Sequence, residues 1–147
     1  MKSKRVYINL FIIFLISSGC SHEQNISIGS FNKLISYRNL GLAYLEEERY
    51  SDGAREFMSF IDIAPAEASG YANLGWTYLQ SPGKLDSAEI VLQHAMKLSL
   101  DNPDIAFLAA KMYELTNRQN EAIKVLQNTR IQSPEHVLTL YQLSEYY

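Results

Sequence analysis

Apolar positions along this chain fall into three regimes. From Val6 to Ile16 they run almost unbroken, with only Asn9 intervening. From Ser21 to about Ser30 the residues are largely polar, with Asn25 and Gly29 and no apolar period. From Phe31 onward large apolar side chains recur at helical spacing, beginning with Phe31, Leu34 and Ile35. The first regime is too short to span a bilayer, whose core of roughly 30 Å needs ~20 apolar helical residues. The second predicts a tether over residues 20–30, and the third a series of helices, the first opening behind Ser30 as a candidate N-cap.

Within the helical part the pattern repeats. Tyr37-Arg-Asn-Leu-Gly-Leu-Ala-Tyr-Leu45 returns 34 residues later as Tyr71-Ala-Asn-Leu-Gly-Trp-Thr-Tyr-Leu79, with six of nine positions identical and every gap kept. A period of this length, built on an aromatic, then Leu-Gly, then Tyr, resembles tetratricopeptide (TPR) helix hairpins. The resemblance implies an all-α solenoid of stacked antiparallel hairpins, with about three and a half repeats at residues 34–67, 68–102, 103–136 and 137–147 inside an array of 31–147. In the first repeat Tyr37, Leu40, Gly41, Tyr44, Gly53, Phe57, Phe60 and Pro65 occupy the signature places, Phe60 being larger than the usual Ala. The second has Tyr71, Leu74, Gly75 and Tyr78, then Ala88, Leu92 and Ala95 displaced by one residue, which the Ser81-Pro82-Gly83-Lys84 turn absorbs. The third begins at Pro103, suited to a helix start, and continues through Ala106, Ala110, Tyr113, Ala122, Leu126 and Pro134. Leu140, Leu143, Ser144 and Tyr147 open a fourth.

The physical logic of these positions stands beside the family name. Gly41, Gly75, Ala110, Gly53, Ala88 and Ala122 are small where two helices must approach, and Tyr44, Tyr78, Tyr113, Phe57, Leu92 and Leu126 fill the space around them. Gly within a helix costs about 0.5–1 kcal/mol relative to Ala, so its recurrence at one register calls for a packing reason.

The leader changes the picture next. Lys2, Lys4 and Arg5 precede the apolar run, and Ser17-Ser18-Gly19-Cys20 follows it, the pattern of an export signal over residues 1–19. The only cysteine, placed after small residues, resembles the lipobox of bacterial lipoproteins, although Ser17 stands where that family prefers Leu. The resemblance implies lipidation of Cys20 and an anchor of two or three acyl chains. A plain cleaved signal with Cys20 as an incidental thiol is the alternative. Ser21 follows the cysteine where Asp favours inner-membrane retention, so the expected site is the bacterial outer membrane, facing the periplasm.

Net charge is −3; beyond the leader there remain 10 basic and 16 acidic residues, dispersed. With no clustered basic face, no nucleic-acid partner is expected. His22, His94 and His136 lie far apart in sequence, so no metal or cofactor site is expected. No Gly-x-Ser-x-Gly or His-Glu-x-x-His occurs, and Gly83-Lys84 reads as a turn rather than a phosphate loop. The chain is therefore expected to be non-enzymatic.

In TPR arrays the first helices line a concave face. Carried onto this sequence, its places bring Arg38, Asn39, Leu42, Leu45, Asn73, Trp76, Leu79, Phe107, Leu108, Lys111 and Glu114 to a groove suited to a peptide or protein client. Trp76 is the first candidate anchor, with core packing as its alternative. Asn39 and Asn73 share one place and serve either a ligand backbone or a neighbouring helix end. The carboxylate clamp of some TPR domains is incomplete here, since Leu42 replaces an Asn, and Asp104 and Leu108 replace basic residues. Two rival readings remain: an N-terminal TPR segment of a larger exported protein, motivated by the halt at Tyr147 inside a first helix, and self-association as a homodimer through Leu140, Leu143, Tyr146 and Tyr147 of the C-terminal helix.

Overall fold

The computed structural model describes residues 27–99 and 101–147, so the leader, Cys20 and most of the expected tether lie outside the described residues. Among the described residues seven helices follow one another: α1 Ile28–Glu46, α2 Tyr50–Ile63, α3 Ala68–Gln80, α4 Leu85–Leu98, α5 Pro103–Leu115, α6 Gln119–Gln132 and α7 Val137–Ser144. They pair as antiparallel hairpins α1–α2, α3–α4 and α5–α6, with α7 laid against the last of them. Each helix also touches the next along the chain, and α3 touches α5 as α5 touches α7. That connectivity is a solenoid, with contacts confined to neighbouring repeats.

One expectation at the start is corrected. The first helix begins at Ile28, capped by Ser27, whose Oγ accepts a hydrogen bond from Ser30 N at 3.2 Å. Ser30 is thus inside the first turn and donates to the cap. The serine pair at this spacing allowed either choice from sequence, and the outer one adds a further turn of helix.

The turns within hairpins share one design. α1 ends in a Schellman motif: Arg49 N donates to Tyr44 O at 2.8 Å and Glu48 N to Leu45 O at 3.0 Å, with Glu48 at φ 58°. α5 ends the same way through Arg118, Tyr113 and Asn117, also at φ 58°. In both the arginine after the turn folds back over the tyrosine, at 4.3 Å for Arg49 on Tyr44 and 4.6 Å for Arg118 on Tyr113. The middle hairpin carries the extra residue, and Gly83 at φ 71° supplies the left-handed position there. Lys84 then sits 6.0 Å from the Tyr78 ring, a looser copy of the same contact. Arg118 reaches further and pairs with Glu89 of α4 at 2.7 Å, joining the second and third repeats.

The core is a row of small clusters that bridge successive helices. Leu34, Phe60 and Ala64 form one; Ala54, Phe57 and Leu74 the next; Ala72, Ala95 and Ile105 a third; Ala110, Ala122, Leu126 and Leu143 the last. The small residues set how closely the helices approach. An added Cβ on Gly41 would lie 2.7 Å from the Phe57 ring, and one on Gly75 would lie 2.5 Å from Leu92. Both are closer than van der Waals contact allows, so these two glycines are the packing requirement that the sequence pattern implied.

Among the expected surface residues of α7, Leu143 and Tyr146 are corrected. Leu143 is buried in the last cluster and Tyr146 packs against it, because the helix turns those positions towards α5 and α6. Val137, Leu138, Leu140, Tyr141 and Tyr147 are the apolar residues that remain exposed there. Among the described residues no helix is long and apolar enough to cross a membrane.

Candidate protein-binding groove

The site is built from the odd-numbered helices. α1, α3, α5 and α7 are the first helices of successive repeats, and the repeat register assigns residues at equivalent places of α1, α3 and α5 to one candidate face. α3, the central one, contains no charged residue at all. Gly75, the residue before Trp76, admits the buried Leu92 of α4 against the backbone of α3.

The predicted groove residues separate into two sets. Arg38, Asn39 and Lys111 are exposed, Trp76 is 37% exposed despite its size, and Asn73 and Phe107 are half-buried. Leu42 and Leu108 behave differently. Leu42 packs against the Ala54–Phe57–Leu74 cluster, and Leu108 against Ala72–Ala95–Ile105, so both serve the core as well as the groove edge. A leucine at a groove place next to a small residue on the neighbouring helix is drawn inward by the apolar surface it covers.

The two basic residues also differ. Arg38 takes part in no ion pair among the described residues. Lys111 Nζ lies 3.1 Å from Glu114 Oε2 on the next turn of α5. The other Glu114 oxygen accepts a hydrogen bond from the Tyr146 hydroxyl. Burial pushes the Glu114 carboxyl up, but hydrogen bonds from Tyr146, Gln142 and Lys111 outweigh it and hold the group below the usual carboxylate range. Burial, then the bond to Glu114 and its charge, push the Tyr146 phenol well above its ordinary value. Gln142 itself is 5% exposed, and its Oε1 has no hydrogen-bond partner among the described residues.

This Glu114–Gln142–Tyr146 network was missed in part by sequence reasoning. Glu114 stood among the groove places, but those places were not carried into the fourth repeat. Extending it places Leu138, Tyr141 and Gln142 at the positions that Asp104, Phe107 and Leu108 hold in α5. The histidines do not converge. His94 stacks on Tyr71 with ring centroids 4.3 Å apart, and His136 caps α7 through Thr139 while its Nε2 approaches Asp104 at 3.2 Å. Among the described residues no group of three or more potential metal ligands comes together.

No family model matches the chain. In sequence it is similar to human Protein O-mannosyl-transferase TMTC3, 29% identical over 107 residues, 73% of this chain. The matched part is 11% of that protein, so this chain spans about a tenth of its relative's length. In structure it is similar to the second TPR domain of human RPAP3, solved with an HSP70 peptide, at TM-score 0.69 and 20% identity, over 78% of this chain and 95% of that one. It is likewise similar to the TPR domain of Arabidopsis OM64, at TM-score 0.68 and 16% identity, over 78% and 93% of the respective chains. Helix order, hairpin pairing, the 34-residue period and these likenesses agree, and the fold is an all-α TPR solenoid.

Proposed function

We propose that this protein is a non-enzymatic scaffold that holds a peptide segment of a client protein along the face formed by α1, α3 and α5. The observation that carries the reading is the combination of an exposed Trp76 on the uncharged central helix with Arg38 on α1, which has no ion-pair partner among the described residues. A large aromatic anchor gives affinity, and a few polar groups fix orientation, the usual division of labour in peptide recognition. Support comes from the human RPAP3 domain, which has the same fold and was solved with a peptide.

Cys20, lipidated after removal of residues 1–19, anchors this scaffold to the bacterial cell envelope, at the outer membrane facing the periplasm. The warrant is the order of basic residues, apolar run, small residues and cysteine, with Ser21 next. A second reading, a TPR segment within a larger exported protein, draws on the relative of which the matched region is 11%.

Intact mass of the protein extracted from its host's membrane fraction tests both readings. Residues 20–147 plus acyl chains supports the anchored scaffold; a much larger mass supports the second reading; a mass without acyl groups removes the anchor. Photocrosslinking from position 76 then tests the groove. Crosslinks to no protein, with the fold intact, would remove the scaffold reading.

A further inference from the structure

The face offers two cations, and the chain itself has neutralised one of them. Lys111 is held at 3.1 Å by Glu114 Oε2, and the other Glu114 oxygen is held by the hydroxyl of Tyr146, two residues beyond the end of α7. A carboxylate of the chain therefore stands where a ligand carboxylate would otherwise meet the ammonium. This end of the face thus carries the Glu114 carboxylate, whereas Arg38 has no anion among the described residues. Between them α3 carries no charge.

We propose that Glu114 sets the ligand polarity of the groove: a client segment places one acidic residue at Arg38, crosses α3 with neutral or apolar residues over Trp76, and is barred from placing a second acid at Lys111. This inference rests on the groove reading above. Glu114 acts as a specificity residue, and a second carboxylate in the client would meet its negative charge in a partly dehydrated setting, where like charges repel more strongly than in water.

The test uses a phage-displayed library of random 12-residue peptides selected against the full chain and three variants. The wild-type chain is expected to enrich sequences with one acidic residue set apart from a central apolar one. Glu114→Gln frees Lys111 and is expected to raise the frequency of a second acid by about two- to fivefold, the worth of a solvent-exposed ion pair. Lys111→Gln leaves Glu114 without its cation and is expected to enrich Lys or Arg at that end instead. Arg38→Gln is expected to remove the single acid. The two α5 variants thus shift selection in opposite directions, which loss of packing cannot produce, and either suffices should the other fail to fold. Selected sequences that are the same for the wild-type, Glu114→Gln and Lys111→Gln chains would overturn the inference while leaving the groove intact. A library from which no chain enriches any peptide would overturn the groove reading and this inference together.

Discussion

Phe60 occupies the volume that a side chain at position 70 would need. An ideal Cβ built on Gly70 lies 2.7 Å from Phe60 Cδ1 and 3.0 Å from Ile61 Cγ1, across the contact between α2 and α3. The first repeat thus carries a Phe where a smaller residue is usual, and the second repeat has given up its side chain to receive it.

Gly70→Ala is accordingly expected to destabilise the fold by about 1–3 kcal/mol through overpacking, despite Ala's better helix propensity. Phe60→Leu in the same background should recover part of that loss. A double-mutant cycle followed by chemical denaturation measures the coupling, and additive effects would show that the two positions are independent.

Gly75→Leu meets a harder obstacle, because even a Cβ there would sit 2.5 Å from Leu92, itself fully buried. A loss of about 3 kcal/mol or more is expected, with a lowered Tm and reduced helicity. Unchanged thermal unfolding would contradict the packing of α3 on α4.

Trp76→Ala removes a residue that is 37% exposed and lies outside the four buried clusters. Stability should change by about 1 kcal/mol or less while peptide capture falls at least tenfold. Circular dichroism and library selection on one preparation separate the two effects. A collapse of helicity would make Trp76 a core residue.

Tyr146 predicts an alkaline limit. Its phenol has a raised pKa in the folded chain, so its contribution is present below the unfolded value near 10 and is lost as pH rises from there through the folded value. Glu114 acts in the opposite sense: its folded pKa is depressed, so its contribution is present above about 4.5 and is lost as pH falls through the folded value. Tyr146→Phe should therefore flatten the loss of stability above about pH 10 that the wild-type chain shows. Thermal unfolding between about pH 8 and 12 measures it, and identical slopes would refute the Tyr146–Glu114 link.

Much of this fold was legible because its determinants are periodic. Gly41, Gly75, Ala110 and the tyrosines three residues after each recur at one register, and the clusters of Phe57, Leu92 and Leu126 answer them. The single extra residue at Ser81–Lys84 was visible for the same reason, as a phase shift in α4. What escaped was pairwise and non-periodic. Gly70 matters because of Phe60 and Ile61, Ser27 outcompetes Ser30 through one hydrogen bond, and Glu114 is bonded by Tyr146, 32 positions further on. A place in a repeat says where a side chain begins; it does not say which neighbour neutralises it. Lys111 and Arg38 both stood among the groove places, yet only one has an ion-pair partner among the described residues.

The absence of charge on α3 has a kinetic consequence. Electrostatic steering lifts association towards 10⁸–10⁹ M⁻¹s⁻¹ only when a face presents a strong potential, whereas neutral faces associate at about 10⁵–10⁶ M⁻¹s⁻¹. With an uncharged central helix and Arg38 as the face's cation without an ion-pair partner among the described residues, this face would meet its client slowly and with weak dependence on ionic strength. Selectivity then resides in residence time: how long the aromatic anchor stays seated would decide which clients are kept.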